Sequence, residues 1–178
     1  MYYFLEQKRS EFYVRAAVPR EIKRGCRDSE FQFLDRRPLE LELENDYGTE
    51  FPDLIMAEDY VPFISERLKR LFDRWGIDNL FYKKILLKMP DFDVREQYWL
   101  ALPPRIDCLD PEEALDPELG VCVKIAIIAN RVGNYQIFKL KNGNDEIIIT
   151  EDLREKLQKE LDSQTIRGII IKKCESEV

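Results

Sequence analysis

The apolar and polar positions of the chain follow two periods, one helical and one extended. In PFISERLKRLFDRWG, Ile64, Leu68, Leu71, Phe72 and Trp75 fall at i, i+4, i+7, i+8 and i+11, a single stripe along an α-helix. Ser65 stands where an N-cap belongs and Gly76 where the helix should stop. TEDLREKLQKEL repeats the pattern with a Leu153/Leu157/Leu161 stripe, acids in the first turn, Thr150 as the expected cap, and Asp152–Lys156 and Glu155–Lys159 pairs at i,i+4.

The extended period is clearest in LELELE, which alternates strictly and predicts a half-buried strand with Leu39, Leu41 and Leu43 inward. YYFLE reads as a first or edge strand. IDNLFYKKILL reads as a strand interrupted by Lys83 and Lys84. EQYWLALP and VCVKIAIIA are dense in aliphatic, aromatic and β-branched residues and bounded by Pro, Gly and Asn. The second is apolar on nearly both faces, which predicts a central strand. YQIFKLKNGNDEIIIT predicts two strands joined by a turn at Asn142-Gly143, and TIRGIIIKK a closing strand. Residues 6 to 37 are poorly periodic, with FQFL as a weak strand. No repeat or composition break divides the chain. The expectation is one α+β domain over residues 1–178, a mostly antiparallel mixed sheet with two main amphipathic helices packed on it.

Charge narrows the function. There are 35 acidic against 28 basic side chains, a net charge of -7. That balance opposes binding to nucleic acid, which requires Lys and Arg against phosphate, and to anionic membranes. It suits a basic partner through electrostatic steering. No apolar run approaches the roughly 20 residues that cross a bilayer, and the first residues lack the basic and apolar regions of a secretory signal, so the expected location is the cytoplasm. Four scattered cysteines, without a C-x-x-C pair, read as reduced thiols packed as small core residues.

The chain has no histidine. Ser-His-Asp and Cys-His catalysis and imidazole zinc sites are therefore excluded. Phosphate-cradling glycine motifs are missing as well. Neither a catalytic set nor a cofactor is expected.

One stretch stands apart. RIDCLDPEEALDPELG carries Asp107, Asp110, Glu112, Glu113, Asp116 and Glu118, with no base after Arg105. A calcium loop needs oxygen ligands at regular spacing and a glycine at its turn; here the spacing is irregular and Pro111 and Pro117 stiffen the segment. Two carboxylates as acid and base would need unequal environments that spacing does not reveal. A solvated loop in which Asp110-Pro111-Glu112-Glu113 opens a helical turn is the leading reading, and a surface for a basic partner the next. The acids from Glu40 to Asp59 fit a charged edge strand.

Three blocks together resemble a known family: FPDLIMAEDYVPFISERLKRLF, YWLALPPRIDCLDPEEA with its Asp107-Cys108-Leu109-Asp110 turn, and IFKLKNGNDEIIITEDLREKLQKELDSQTIRGIIIKK. In this order they look like the bacterial polymorphic-toxin immunity proteins of the myxobacterial type, formerly a domain of unknown function. The likeness covers about residues 50–173, and departs in the acidic 40–59 segment and at Lys83-Lys84. It implies a small non-catalytic α+β protein that binds and blocks a cognate toxin. Asp107, Asp110, Glu112, Glu113, Asp116 and Glu118 are then the expected rim contacts to a basic toxin, with a carboxylate-dependent hydrolase or transferase, or a toxin-independent adaptor, as the alternatives.

Overall fold

The computed structural model describes residues 1–20, 22–23, 26, 39–44, 48–57, 60–89, 94–114, 125–141, 143 and 145–174. Among the described residues, ten strands form two five-stranded sheets rather than the single sheet expected. In one, the order is β10 (Ile169–Lys173), β1 (Tyr2–Gln7), β9 (Ile147–Thr150), β8 (Ile137–Leu140) and β7 (Arg105–Ile106). In the other it is β2 (Leu39–Glu42), β5 (Phe81–Lys88), β6 (Arg95–Leu102), β4 (Val61–Ser65) and β3 (Leu54–Ala57). Pairing is antiparallel except for β7–β8 and β2–β5. Two helices, α1 (Glu66–Arg74) and α4 (Glu151–Asp162), are long. The one-turn α2 (Pro111–Ala114) and α3 (Ala129–Val132) interrupt loops. The fold is α+β.

Alternation along the strands sends side chains to both faces of each sheet, and three apolar clusters result. Leu5, Ile137, Ile147 and Ile149 from the first sheet meet Leu54, Ile64 and Ala101 from the second, together with Leu68, Leu71 and Phe72 of α1 and Leu153 and Leu157 of α4. The opposite face of the second sheet packs Phe63, Ile85, Leu87 and Leu100 against Val14, Ala16 and Ile22. The opposite face of the first packs Phe138, Leu140 and Ile148 on Cys108, Leu109 and Ala114.

The local signals of the sequence correspond to local structure. Ser65 caps α1, accepting the Leu68 N–H at 3.1 Å, and Gly76 leaves the helix at φ +73. In β2, an edge strand, Leu41 is buried, Leu39 half-buried, and Glu40 and Glu42 exposed, while Leu43, just past its end, is buried as well. β5 runs uninterrupted, with Lys83 on its buried face.

Other expectations are corrected. YYFLE forms the first strand, but β1 lies between β10 and β9, not at an edge. Of VCVKIAIIA, residues 125–128 form no strand: a single bridge joins Ile127 to Leu109, and that stretch is half-buried. Positions 121–124, Asn142 and FQFL lie outside the described residues. Thr150 occupies the cap position of α4, yet its buried hydroxyl makes no cap bond. On α4, Arg154 pairs with Glu151 at 2.5 Å, and Lys156 reaches Gln136 at 3.3 Å instead of the expected Asp152.

Candidate functional site

The acidic turn is built on a buried root. Arg105 in β7 bonds the Leu140 carbonyl at 3.1 Å and pairs with Asp145. Cys108 and Leu109 then drop into the core, and the backbone of Cys108 and Asp110 is held by Ile128 and Ala126 at 2.8 and 2.9 Å. Burial, then the Asp107 charge, push the Cys108 thiol up.

Asp110 closes the turn as an N-cap: its Oδ1 accepts the Glu112 N–H at 3.1 Å and its carbonyl accepts the Ala114 N–H at 2.8 Å. Pro111 fits the next position because it has no N–H to leave unpaired. Asp110-Pro111-Glu112-Glu113 therefore opens a helical turn, as the leading reading had it. Asp107, Glu112 and Glu113 are exposed and Asp110 is half-buried. Asp116 and Glu118 lie outside the described residues. Among the described residues, no three acidic or cysteine side chains gather as metal ligands would.

A concavity of about 1100 Å³ was not anticipated. It lies between α1, the first residues of β6 and the turn after α4, and its floor is pinned by one buried acid. Asp53, only 4 % exposed, accepts the Ser65 hydroxyl on Oδ1 at 2.5 Å and the Arg167 N–H on Oδ2 at 2.8 Å. Its backbone bonds Arg167 and Ser65 as well, both at 2.9 Å. Beside it, the buried Tyr98 hydroxyl donates to the Pro52 carbonyl at 2.5 Å. Arg67 completes the wall, donating to the Thr165 carbonyl at 2.8 Å.

Arg70 and Arg74 stand on the same helix, with Arg167 across the cleft. Glu66 is held below the usual carboxylate range, first by the Trp99 indole N–H at 2.6 Å and then by Arg70 at 3.1 Å. The signal for this cleft was present in the sequence. Arg67, Arg70 and Arg74 recur at i, i+3 and i+7 on the side of α1 away from its apolar stripe.

A second buried cation spans the sheets. Lys139 of β8 is 5 % exposed and donates to the Tyr60 carbonyl at 2.9 Å, where the chain takes a left-handed conformation at φ +54. Burial holds its amine down to about 8.

Comparison with curated proteins returned no match. A family model does match: that of the Immunity protein family (Imm11), over residues 13–176. It takes in the three blocks of the resemblance and extends it through β2 toward the N-terminus, so the chain belongs to the Imm11 immunity protein family.

Proposed function

We propose that this protein binds a cognate toxin domain in the cytoplasm and neutralises it without catalysis, with its acidic turn facing a basic toxin. The match to the immunity family over residues 13–176 carries this reading. The charge of -7 and the exposure of Asp107, Glu112 and Glu113 support the choice of surface. Asp110, Asp116 and Glu118 complete the proposed rim, Asp110 mainly by shaping it. Exposed charges of this kind act chiefly on the association rate. We further propose that the chain works as one domain, which is supported by the core that both sheets share.

A carboxylate-dependent hydrolase would need one carboxyl in this cleft with a raised pKa. Glu66 is held down instead, and both oxygens of Asp53 already accept hydrogen bonds. No observation favours that reading over binding.

The test is co-expression. The product of the open reading frame beside this gene, induced in a heterologous bacterium, is expected to arrest growth, and this protein to relieve the arrest. An arrest that persists with the protein present rejects that pairing.

A further inference from the structure

β4 ends at Ser65, opposite Tyr98, where the chain leaves the sheet as α1. β6 continues three residues further, to Arg95, paired there with β5 alone. Successive residues of an antiparallel strand turn their N–H and C=O to opposite neighbours. The Ser65 N–H donates toward β3, to the Asp53 carbonyl at 2.9 Å. Ile64, opposite Trp99, is therefore the residue that bonds toward β6. Two residues from Trp99, Gln97 turns its N–H and C=O to the same side, into the lane that β4 has left. The opposite edge agrees: Met89 donates to the Val94 carbonyl at 3.2 Å, which points Val94, Glu96 and Tyr98 toward β5.

This vacated lane opens into the 1100 Å³ cleft, whose wall includes Glu96, Gln97 and Tyr98. Open strand edges accept extended peptides through main-chain bonds, with flanking side chains supplying selectivity. Arg70 and Arg74, one helical turn apart, flank the lane. Arg70 is 74 % exposed despite its contact with Glu66, and Arg74 makes no ion pair among the described residues. A guanidinium binds a carboxylate in a planar, two-bond geometry. Glu96 and Glu160 also line the cleft and disfavour a run of acids. The walls are fixed in advance by Asp53 and by the Arg67–Thr165 bond, so little ordering is needed on binding.

We propose that the slot takes an extended segment of the toxin, added as a short strand on Gln97 with a single carboxylate held by Arg70 and Arg74. That the segment is the toxin's rests on the immunity reading; the slot does not.

The probe is a blocked pentapeptide, Thr-Val-Glu-Val-Thr, titrated into the full chain up to about 5 mM, with backbone amides followed by NMR. The expected result is a shift and slowed exchange at Gln97, at least tenfold weaker for the glutamine analogue of the peptide. Binding should also fall at least tenfold in the Arg70→Gln/Arg74→Gln variant, and vanish when the main-chain nitrogens of the peptide are methylated. Gln97→Pro, which removes the N–H facing the open lane together with the 3.4 Å side-chain bond to Glu66, should behave like the methylated peptide, with Gln97→Ala as the control that removes the side chain alone and keeps binding. Equal binding of both peptides, or shifts that leave Gln97 unmoved, overturns the proposal. Protection of Gln97 that grows with protein concentration alone places a second copy in the slot, and overturns it too. Peptide binding without growth protection would keep the slot and reject the toxin pairing tested; protection without peptide binding would keep the pairing and remove the slot.

Discussion

The Ser65 hydroxyl is shared between a helix and a buried acid: it accepts the Leu68 N–H at 3.1 Å and donates to Asp53 Oδ1 at 2.5 Å. One side chain thus fixes the start of α1 against the floor of the cleft. Replacing Asp53 by Ala leaves the Ser65 hydroxyl and the Arg167 N–H without acceptors, and is expected to cost about 3 kcal/mol. Ser65→Ala, losing the cap, should cost about 1–2 kcal/mol. The double variant should lose less than the sum, because each change removes the same bond. Urea unfolding of the three variants checks this, and strict additivity would contradict the shared hydroxyl.

Lys139 gives a pH dependence. Burial lowers its amine from 10.5 to about 8, so between those values the unfolded chain holds more protons than the folded one. The contribution of this group to stability is therefore lowest below about pH 8 and rises as the pH climbs toward 10.5. Cys26 and Cys174, raised by burial to about 11 and 12, act in the opposite direction above pH 9. Comparison with Lys139→Met isolates the lysine. The stability of the native protein relative to that variant should grow by about 2 kcal/mol between pH 7.5 and 10. A constant difference would mean that the lysine keeps its proton throughout.

How much of this was legible depended on sequence distance. The apolar stripe, Ser65 cap and Gly76 stop of α1 involve neighbours within one or two turns, and LELELE alternates on its own, so both were readable. The two-sheet arrangement was not: β1 pairs with β9 and β10, at the far end of the chain. Asp53 looked like one more surface acid because its partner Arg167 lies 114 residues away. In VCVKIAIIA, an apolar run does not distinguish a strand from a half-buried irregular segment, and residues 125–128 are the latter. The helical turn opened at Asp110 is legible because an N-cap and the proline after it are local signals. The open lane beside Gln97 follows only from strand register, which composition does not record.

Glu66 should report its contact with Trp99. The indole N–H is the first cause of its lowered pKa, with Arg70 secondary. Its stabilising contribution is present above the ordinary carboxyl value of 4.5 and is lost as the pH falls through the depressed one. Trp99→Phe, which keeps the ring and removes the donor, should return the Glu66 titration toward the ordinary range. Arg70→Gln should move it in the same direction by less. Carboxyl carbon NMR titrations measure both, and a larger effect from Arg70→Gln would reverse the assigned order.

Gly168 and Gly76 share a left-handed backbone, at φ +78 and +73, but not their surroundings. A Cβ on Gly168 would lie 2.2 Å from Pro52 Cβ, whereas one on Gly76 meets nothing within 4 Å. Gly76→Ala should cost only the conformational penalty of about 1–2 kcal/mol. Gly168→Ala should cost clearly more, because it forces the loop carrying Arg167 away from Asp53. Thermal unfolding separates the two, and equal losses would argue against the close packing.

The acidic turn divides by role, and the roles are separable. Asp107, Glu112 and Glu113 are exposed, while Asp110 directs its carboxylate at the Glu112 N–H. Asp110→Ala should therefore lower the stability of the protein by about 1 kcal/mol, the usual worth of a cap. Reversing the three exposed acids to Lys should leave stability within about 0.5 kcal/mol, as for most surface changes. Against a basic toxin, the same triple variant should lower the association rate about tenfold at low salt and flatten its salt dependence, with the dissociation rate little changed. Stopped-flow association at two ionic strengths measures this. If the rate and its salt slope are unchanged, the toxin does not meet this turn, and the rim lies elsewhere on the molecule.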